Sequence, residues 1–131
     1  MRAISLICIA AVMTGCASYG VSKRQKLFDA SALAYERAIR WSDYRQAFTL
    51  AGNADATPPD LQRLQNVRVT SYDVLGVPQP NADFSRVVQV VEIRYVQINQ
   101  MSERSLADQQ TWVYSDKDER WRLMTPFPGF R

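Results

Sequence analysis

Residues 27 to 51 read LFDASALAYERAIRWSDYRQAFTLA, and they decide the fold class. They contain neither Pro nor Gly, and Leu27, Ala30, Ala34, Ala38, Trp41 and Phe48 recur at steps built from three and four residues. Leu33, Tyr35, Ile39 and Tyr44 widen that stripe, which has the period of an amphipathic helix. Glu36 precedes Arg40 by four positions in the favourable order, and Gly52-Asn53 supplies a stop. The stretch therefore predicts one long helix of about 24 residues. Beyond it, Ala54 to Pro59 is a loop, and Asp60 caps a short turn that points Leu61 and Leu64 inward.

After Asn66 the period changes from helix to strand. Val67, Val69 and Ser71 alternate with Arg68, Thr70 and Tyr72, and Gly76-Val77-Pro78-Gln79-Pro80-Asn81 reads as a turn. Phe84 to Asn99 is a longer strand with Val87, Val91, Ile93 and Tyr95 on one side. Its other side carries Val88, Val90, Val96 and Ile98, interrupted by Glu92 and Arg94. With both sides partly apolar, one packs on the helix and the other meets a partner subunit or a bend of the sheet. Ser102-Glu103 turns the chain, Leu106 to Tyr114 forms a third strand, Ser115 to Asp118 is a polar turn, and Arg120 to Met124 returns as a fourth. Pro126 and Pro128 then stop further pairing. The plan is α+β, a long N-terminal helix packed on a curved, mostly antiparallel sheet.

The run from Tyr35 to Tyr44, followed by the late Trp112-Val113-Tyr114 and Trp121-Arg122-Leu123 hairpin, resembles the nuclear transport factor 2-like superfamily. The resemblance implies a cone of helix and sheet over about 100 residues. That superfamily holds dehydratases, isomerases and polyketide cyclases together with non-catalytic binding and assembly modules, so it implies no single activity.

The amino end reads as an address. Arg2, the apolar run Ile4 to Met13 and the small residues before Cys16 have the layout of an export signal. The run is far short of the roughly 20 residues that span a bilayer. Met13-Thr14-Gly15-Cys16 resembles the lipobox of bacterial lipoproteins, which implies cleavage between Gly15 and Cys16 and acylation of Cys16. Ala17, where an Asp would imply inner-membrane retention in Gram-negative lipoproteins, implies the outer membrane, facing the periplasm. The expected organisation is a signal peptide over 1–15, a lipidated cysteine and tether over 16–26, and one domain over 27–131. In the tether, Lys23, Arg24 and Lys26 are either solvated or near anionic head groups.

Composition narrows the chemistry. The 131 residues carry a net charge of +3 with acids and bases interspersed, unlike the basic stripe of a nucleic-acid binder. There is no histidine, and the two cysteines fall in the signal and at the lipidation site. The commonest general base and the usual zinc, haem and iron-sulfur ligands are thus missing, and no cofactor is expected. Acid-base options reduce to carboxylates with tyrosines: Asp43 with Tyr44 on the helix, or Asp108 with Tyr95 on strands. The competing reading makes Asp43 a solvated helix residue and Asp108, beside Gln109 and Gln110, sheet surface. Trp41, Trp112 and Trp121, with Phe48 and Tyr95, line either a filled core or an apolar pocket. Two functions follow: a non-enzymatic envelope module that binds a protein partner, a second copy or an apolar ligand, or a cofactor-free isomerase or hydrolase-like enzyme.

Overall fold

The computed structural model describes residues 15–131. The export-signal reading of the residues before Gly15 lies outside the described residues. The fold class is α+β as expected. Helix α1 (Gly15–Arg40), helix α2 (Tyr44–Ala51) and helix α3 (Leu61–Leu64) precede four strands, β1 (Val67–Pro80), β2 (Arg86–Gln97), β3 (Ser102–Ser115) and β4 (Arg120–Leu123). The strands form one antiparallel sheet in the order β1-β2-β3-β4.

The segment read as a tether, 16–26, is instead the start of α1. Its composition, with Gly20 costing about 1 kcal/mol in a helix, points the other way, and distant partners override it. Lys23 Nζ meets Glu119 Oε1 at 2.6 Å and Arg24 Nη2 meets Asp116 Oδ1 at 3.0 Å. Arg24 also donates to the Asp83 carbonyl, stacks over Tyr114 and lends its own carbonyl to Trp121 Nε1 at 2.9 Å. Lys23 and Arg24 are thus bound to the β1–β2 and β3–β4 turns rather than solvated.

The predicted single helix breaks at Trp41. Ser42 N donates to Ile39 O and Asp43 N to Ala38 O, both at 2.9 Å, with Ser42 at φ 57°. These two bonds form a Schellman ending built on a serine in the left-handed region, where glycine is usual. Asp43 then caps α2 by accepting from Gln46 N at 3.1 Å. Gly52, at φ 66°, ends α2 where the sequence placed the stop, and Asp60 accepts from Gln62 and Arg63 to cap α3. The buried face of α1 is set by its large side chains, Phe28, Tyr35 and Ile39, with Ala38. Ala30, Leu33 and Trp41 of the predicted stripe face outward.

In the sheet, β2 buries Val87, Gln89, Val91, Ile93 and Tyr95 and turns Val90 and Arg94 outward. β1 does not end at Gly76; it continues to Pro80 through a register shift between Leu75 and Gln79, with Gly76 at φ 70°. The predicted turn is therefore a bulge, tolerated with its prolines because β1 is an edge strand. The chain reverses instead at Asn81, whose Oδ1 accepts from Ser85 N and Arg86 N at 2.9 Å. β3 starts at Ser102, where a turn was expected, and pairs with β2 in unbroken register from Gln97↔Ser102 to Arg86↔Val113.

Two aromatic groups fill the space between helices and sheet. Phe28 meets Trp121, Trp112 and Phe84 at centroid distances of 5.2, 6.1 and 6.1 Å, and Tyr35 meets Trp112 at 5.7 Å. At the other end Phe130 lies 5.0 Å from Tyr95 and 5.4 Å from Tyr44.

Candidate functional site

Alternation along β3 carries the site. Counting back by twos from Tyr114 and Trp112, both inward, places Gln110 and Asp108 on the same buried side. Gln110 is fully buried, Asp108 is 7% exposed, and Gln89, on β2 directly opposite Gln110, is buried too. Tyr72 of β1 and Tyr35 of α1 complete the group. Gln110 is its centre: its amide nitrogen donates to Asp108 Oδ2 at 2.8 Å and to Tyr72 Oη at 2.9 Å. Its carbonyl accepts from Gln89 Nε2 at 2.8 Å and Trp112 Nε1 at 3.1 Å. Both donors and both acceptor positions of one amide are used.

The electrostatics follow from burial. Loss of water pushes the Asp108 carboxyl above the ordinary aspartate range, and the Gln110 N–H pulls it part of the way back. Burial raises the Tyr35 phenol well above 10.0, and the Asp108 charge, then Tyr72, push it further. Tyr72 is raised chiefly by burial, against the lowering effect of its bond to Gln110. Both phenols are therefore neutral at pH 7, and the Tyr72 oxygen accepts from Gln110. Tyr35 Oη is buried with no hydrogen-bond partner among the described residues, so the group is one bond short of complete.

The residues singled out in the sequence separate. Asp43 caps α2 through its carboxylate and, with Tyr44, lines an open surface cleft of about 280 Å³ that also holds Arg45 and Arg68. Tyr44 Oη donates to Val67 O at 2.9 Å and fastens α2 to β1. Asp108 belongs to the interior, so the surface reading of it is corrected, but its neighbours are Gln110, Tyr72 and Tyr35 rather than Tyr95. Tyr95 Oη instead exchanges hydrogen bonds of 3.1 Å with the backbone of Arg131. Trp112 and Trp121 are buried, Phe48 is half-buried, and Trp41 is 84% exposed and belongs to no core. Gln89, Gln110, Tyr72 and Tyr35 were missed; the period-two count back from Trp112 would have found Gln110.

Among the surface clefts of the described residues, two bear on the sequence reading. One, of about 540 Å³, is lined by Leu33, Glu36, Arg37, Arg40, Trp41 and Thr70. The other, of about 450 Å³, lies between the α2–α3 loop and the carboxyl-terminal tail, with Asn53, Asp60, Arg63 and Phe127 among its walls. Asp108 and Tyr35 line neither. Among the described residues no three or more acidic or cysteine side chains gather as a metal site would need, and no helix is long and apolar enough to cross a membrane. Compared with known proteins, the chain matches no family model, no curated protein and no solved structure.

The raised Asp108 carboxyl sets a pH test. A carboxyl whose native pKa lies above its unfolded one contributes stability that is complete below the unfolded pKa and lost as pH rises through the native one. At pH 7 the Asp108 charge therefore costs stability. Asp108→Asn keeps an oxygen for Gln110 and is expected to raise Tm at pH 7, with the gain shrinking as pH falls below about 4. Thermal unfolding at the two pH values checks it; an equal or lower Tm at pH 7 refutes the cost.

Proposed function

We propose that the chain is a lipid-anchored envelope protein, held at the outer membrane through Cys16 and facing the periplasm, whose domain binds or organises another envelope component without chemistry of its own. The lipobox resemblance and an exposed Cys16 at the start of α1 support the anchor. The single observation that carries the non-enzymatic half is the contact of fully buried Tyr35 with fully buried Trp112, edge to face at 5.7 Å. Tyr35, which feels the Asp108 charge, is thus backed by Trp112 and takes up interior space that a substrate would need. The finer fold reading, a nuclear transport factor 2-like cone, is part of the proposal; the order of helices before one antiparallel sheet, with α1 packed on β3 through Phe28 and Tyr35, supports it. The outer side of the sheet, where Val90 and Leu75 are exposed and paired across strands, suits a second copy or an envelope protein.

The experiment is metabolic labelling with palmitate followed by fractionation. The wild-type chain is expected to carry label and to sediment with outer membrane. Cys16→Ser is expected to lose all label and to migrate as the larger, uncleaved species. Label that persists in Cys16→Ser, or a wild-type chain found unlabelled in the soluble periplasm, overturns the anchor.

A second reading has one observation in its favour, the unpaired Tyr35 hydroxyl beside a carboxyl held above its ordinary pKa, which is how acid-base sites are built. On that reading the chain is a cofactor-free isomerase or hydrolase-like enzyme, and Asp108→Asn abolishes turnover while raising stability, the usual trade at a working carboxyl. On the preferred reading the same variant is more stable and keeps its binding function.

A further inference from the structure

Helix α1 buries one side and leaves the opposite side open along its length. At about 100° per residue, Tyr19, Lys26, Ala30, Leu33 and Arg37 project within about 40° of one line, and Cys16 within about 60° of it. All are exposed, and Trp41 follows in the turn at the end of the helix with 84% of its surface free. No acidic residue lies on that line; Asp29 and Glu36 point about 80–100° away. Lys26 and Arg37 make no ion pair among the described residues; Lys23, at the edge of this face about 40° from the line, is paired with Glu119, and Arg24, on the far side of the helix, is held by the turns.

We propose that this face of α1 is a membrane-contact surface, so that the domain lies along the bilayer rather than standing away from it. The argument is one of chemistry and continuity. Tyr19 at one end and Trp41 at the other are the aromatic types that settle at a membrane–water boundary, where an apolar ring meets a polar tip. Lys26 and Arg37 between them complement anionic head groups, and Ala30 and Leu33 supply the shallow apolar contact of a helix lying in the interface. Tyr19 to Arg37 covers about 27 Å at 1.5 Å per residue, enough to fix the domain's tilt. Cys16 shares the face, so an acyl chain there and the stripe reach the same surface together; to that extent the inference rests on the lipidation reading. A protein partner is the competing occupant, and it has no such continuity with the anchor.

The test uses the full chain extracted from membranes and reconstituted in vesicles of phosphatidylethanolamine and phosphatidylglycerol carrying bromine on the acyl chain near the head group. Trp112 and Trp121 are buried, so lipid-quenchable emission belongs to Trp41. The expected result is a blue-shifted, bromolipid-quenched component that vanishes in Trp41→Phe, an exposed substitution that leaves the fold intact. Neutralising Lys26→Gln or Arg37→Gln is expected to weaken the contact equilibrium about fivefold each. Wild-type emission no more quenched than that of Trp41→Phe, with iodide reaching Trp41 freely, overturns the surface. Palmitate on Cys16 is scored in the same sample: label without quenching removes the surface and spares the anchor, and quenching without label does the reverse.

Discussion

Gln110→Leu is expected to lower folding stability by about 3–5 kcal/mol, read as a fall in denaturant midpoint at unchanged slope. The amide makes four hydrogen bonds in a fully buried position, to Asp108, Tyr72, Gln89 and Trp112. Each bond is worth about 1 kcal/mol net, but stranding its partner costs about 1–3 kcal/mol, more for a charged group. Leucine strands the Trp112 and Gln89 N–H groups and removes the only side-chain hydrogen bond given to the Asp108 carboxyl among the described residues. Its own burial returns only about 1.5–3 kcal/mol. Asp108 should then be pushed further above its ordinary pKa, so the loss is larger at pH 7 than at pH 4. Adding Gln89→Leu is expected to recover part of the loss, since a polar pair removed together leaves fewer unmet groups than one removed alone. A cost under about 1 kcal/mol would mean that the network does not hold the sheet's inner side.

What could be read in the sequence, and what could not, divides along range of interaction. The helical period across Tyr35, Ala38 and Ile39, the Gly52 stop, the Asp60 cap and the inward side of β2 are set by residues within a few positions of one another, and they stand as expected. The helical course of 16–26 depends on Glu119, Asp116 and Asp83, far along the chain. The break at Ser42 depends on a left-handed serine whose Oγ accepts from Val69 N of β1 at 3.1 Å, and the Gly76 bulge on an edge position known only once the strands are ordered. The site escapes a sequence reading for a different reason. At Asp108 and Gln110 polarity points to exposure, although a buried amide that uses all of its hydrogen-bonding capacity carries little penalty. Trp41 shows the converse, a large apolar residue left outside the core because the buried face of α1 is set by Phe28, Tyr35 and Ile39 and turns Ala30, Leu33 and Trp41 outward.

Phe130→Ala is expected to cost about 3–5 kcal/mol, the range for deleting a buried phenylalanine whose surroundings cannot collapse. The ring is 1% exposed and sits against Tyr95, Tyr44 and Phe127, with centroids 5.0, 5.4 and 6.3 Å away. Those partners belong to β2, α2 and the tail itself, each fixed by other bonds. Tyr44 is tied to Val67, Tyr95 to the Arg131 backbone, and Arg63 of α3 donates to the Phe130 carbonyl. Relaxation into the space is therefore limited, and the cavity term adds to the transfer term. The tail contains two prolines that end sheet pairing, so its hold on the domain comes from this ring, from Phe127 against Tyr44 at 6.2 Å, and from the hydrogen bonds of Arg63, Tyr95 and Arg104 to Phe130 and Arg131. Phe130→Leu keeps most of the volume and should cost under about 1.5–2 kcal/mol. If the alanine variant is as stable as wild type while protease cleaves the chain after Met124, the tail is a detachable cover over Tyr95 and Tyr44 rather than part of the core. That end of the domain would then be the first place to look for a binding surface.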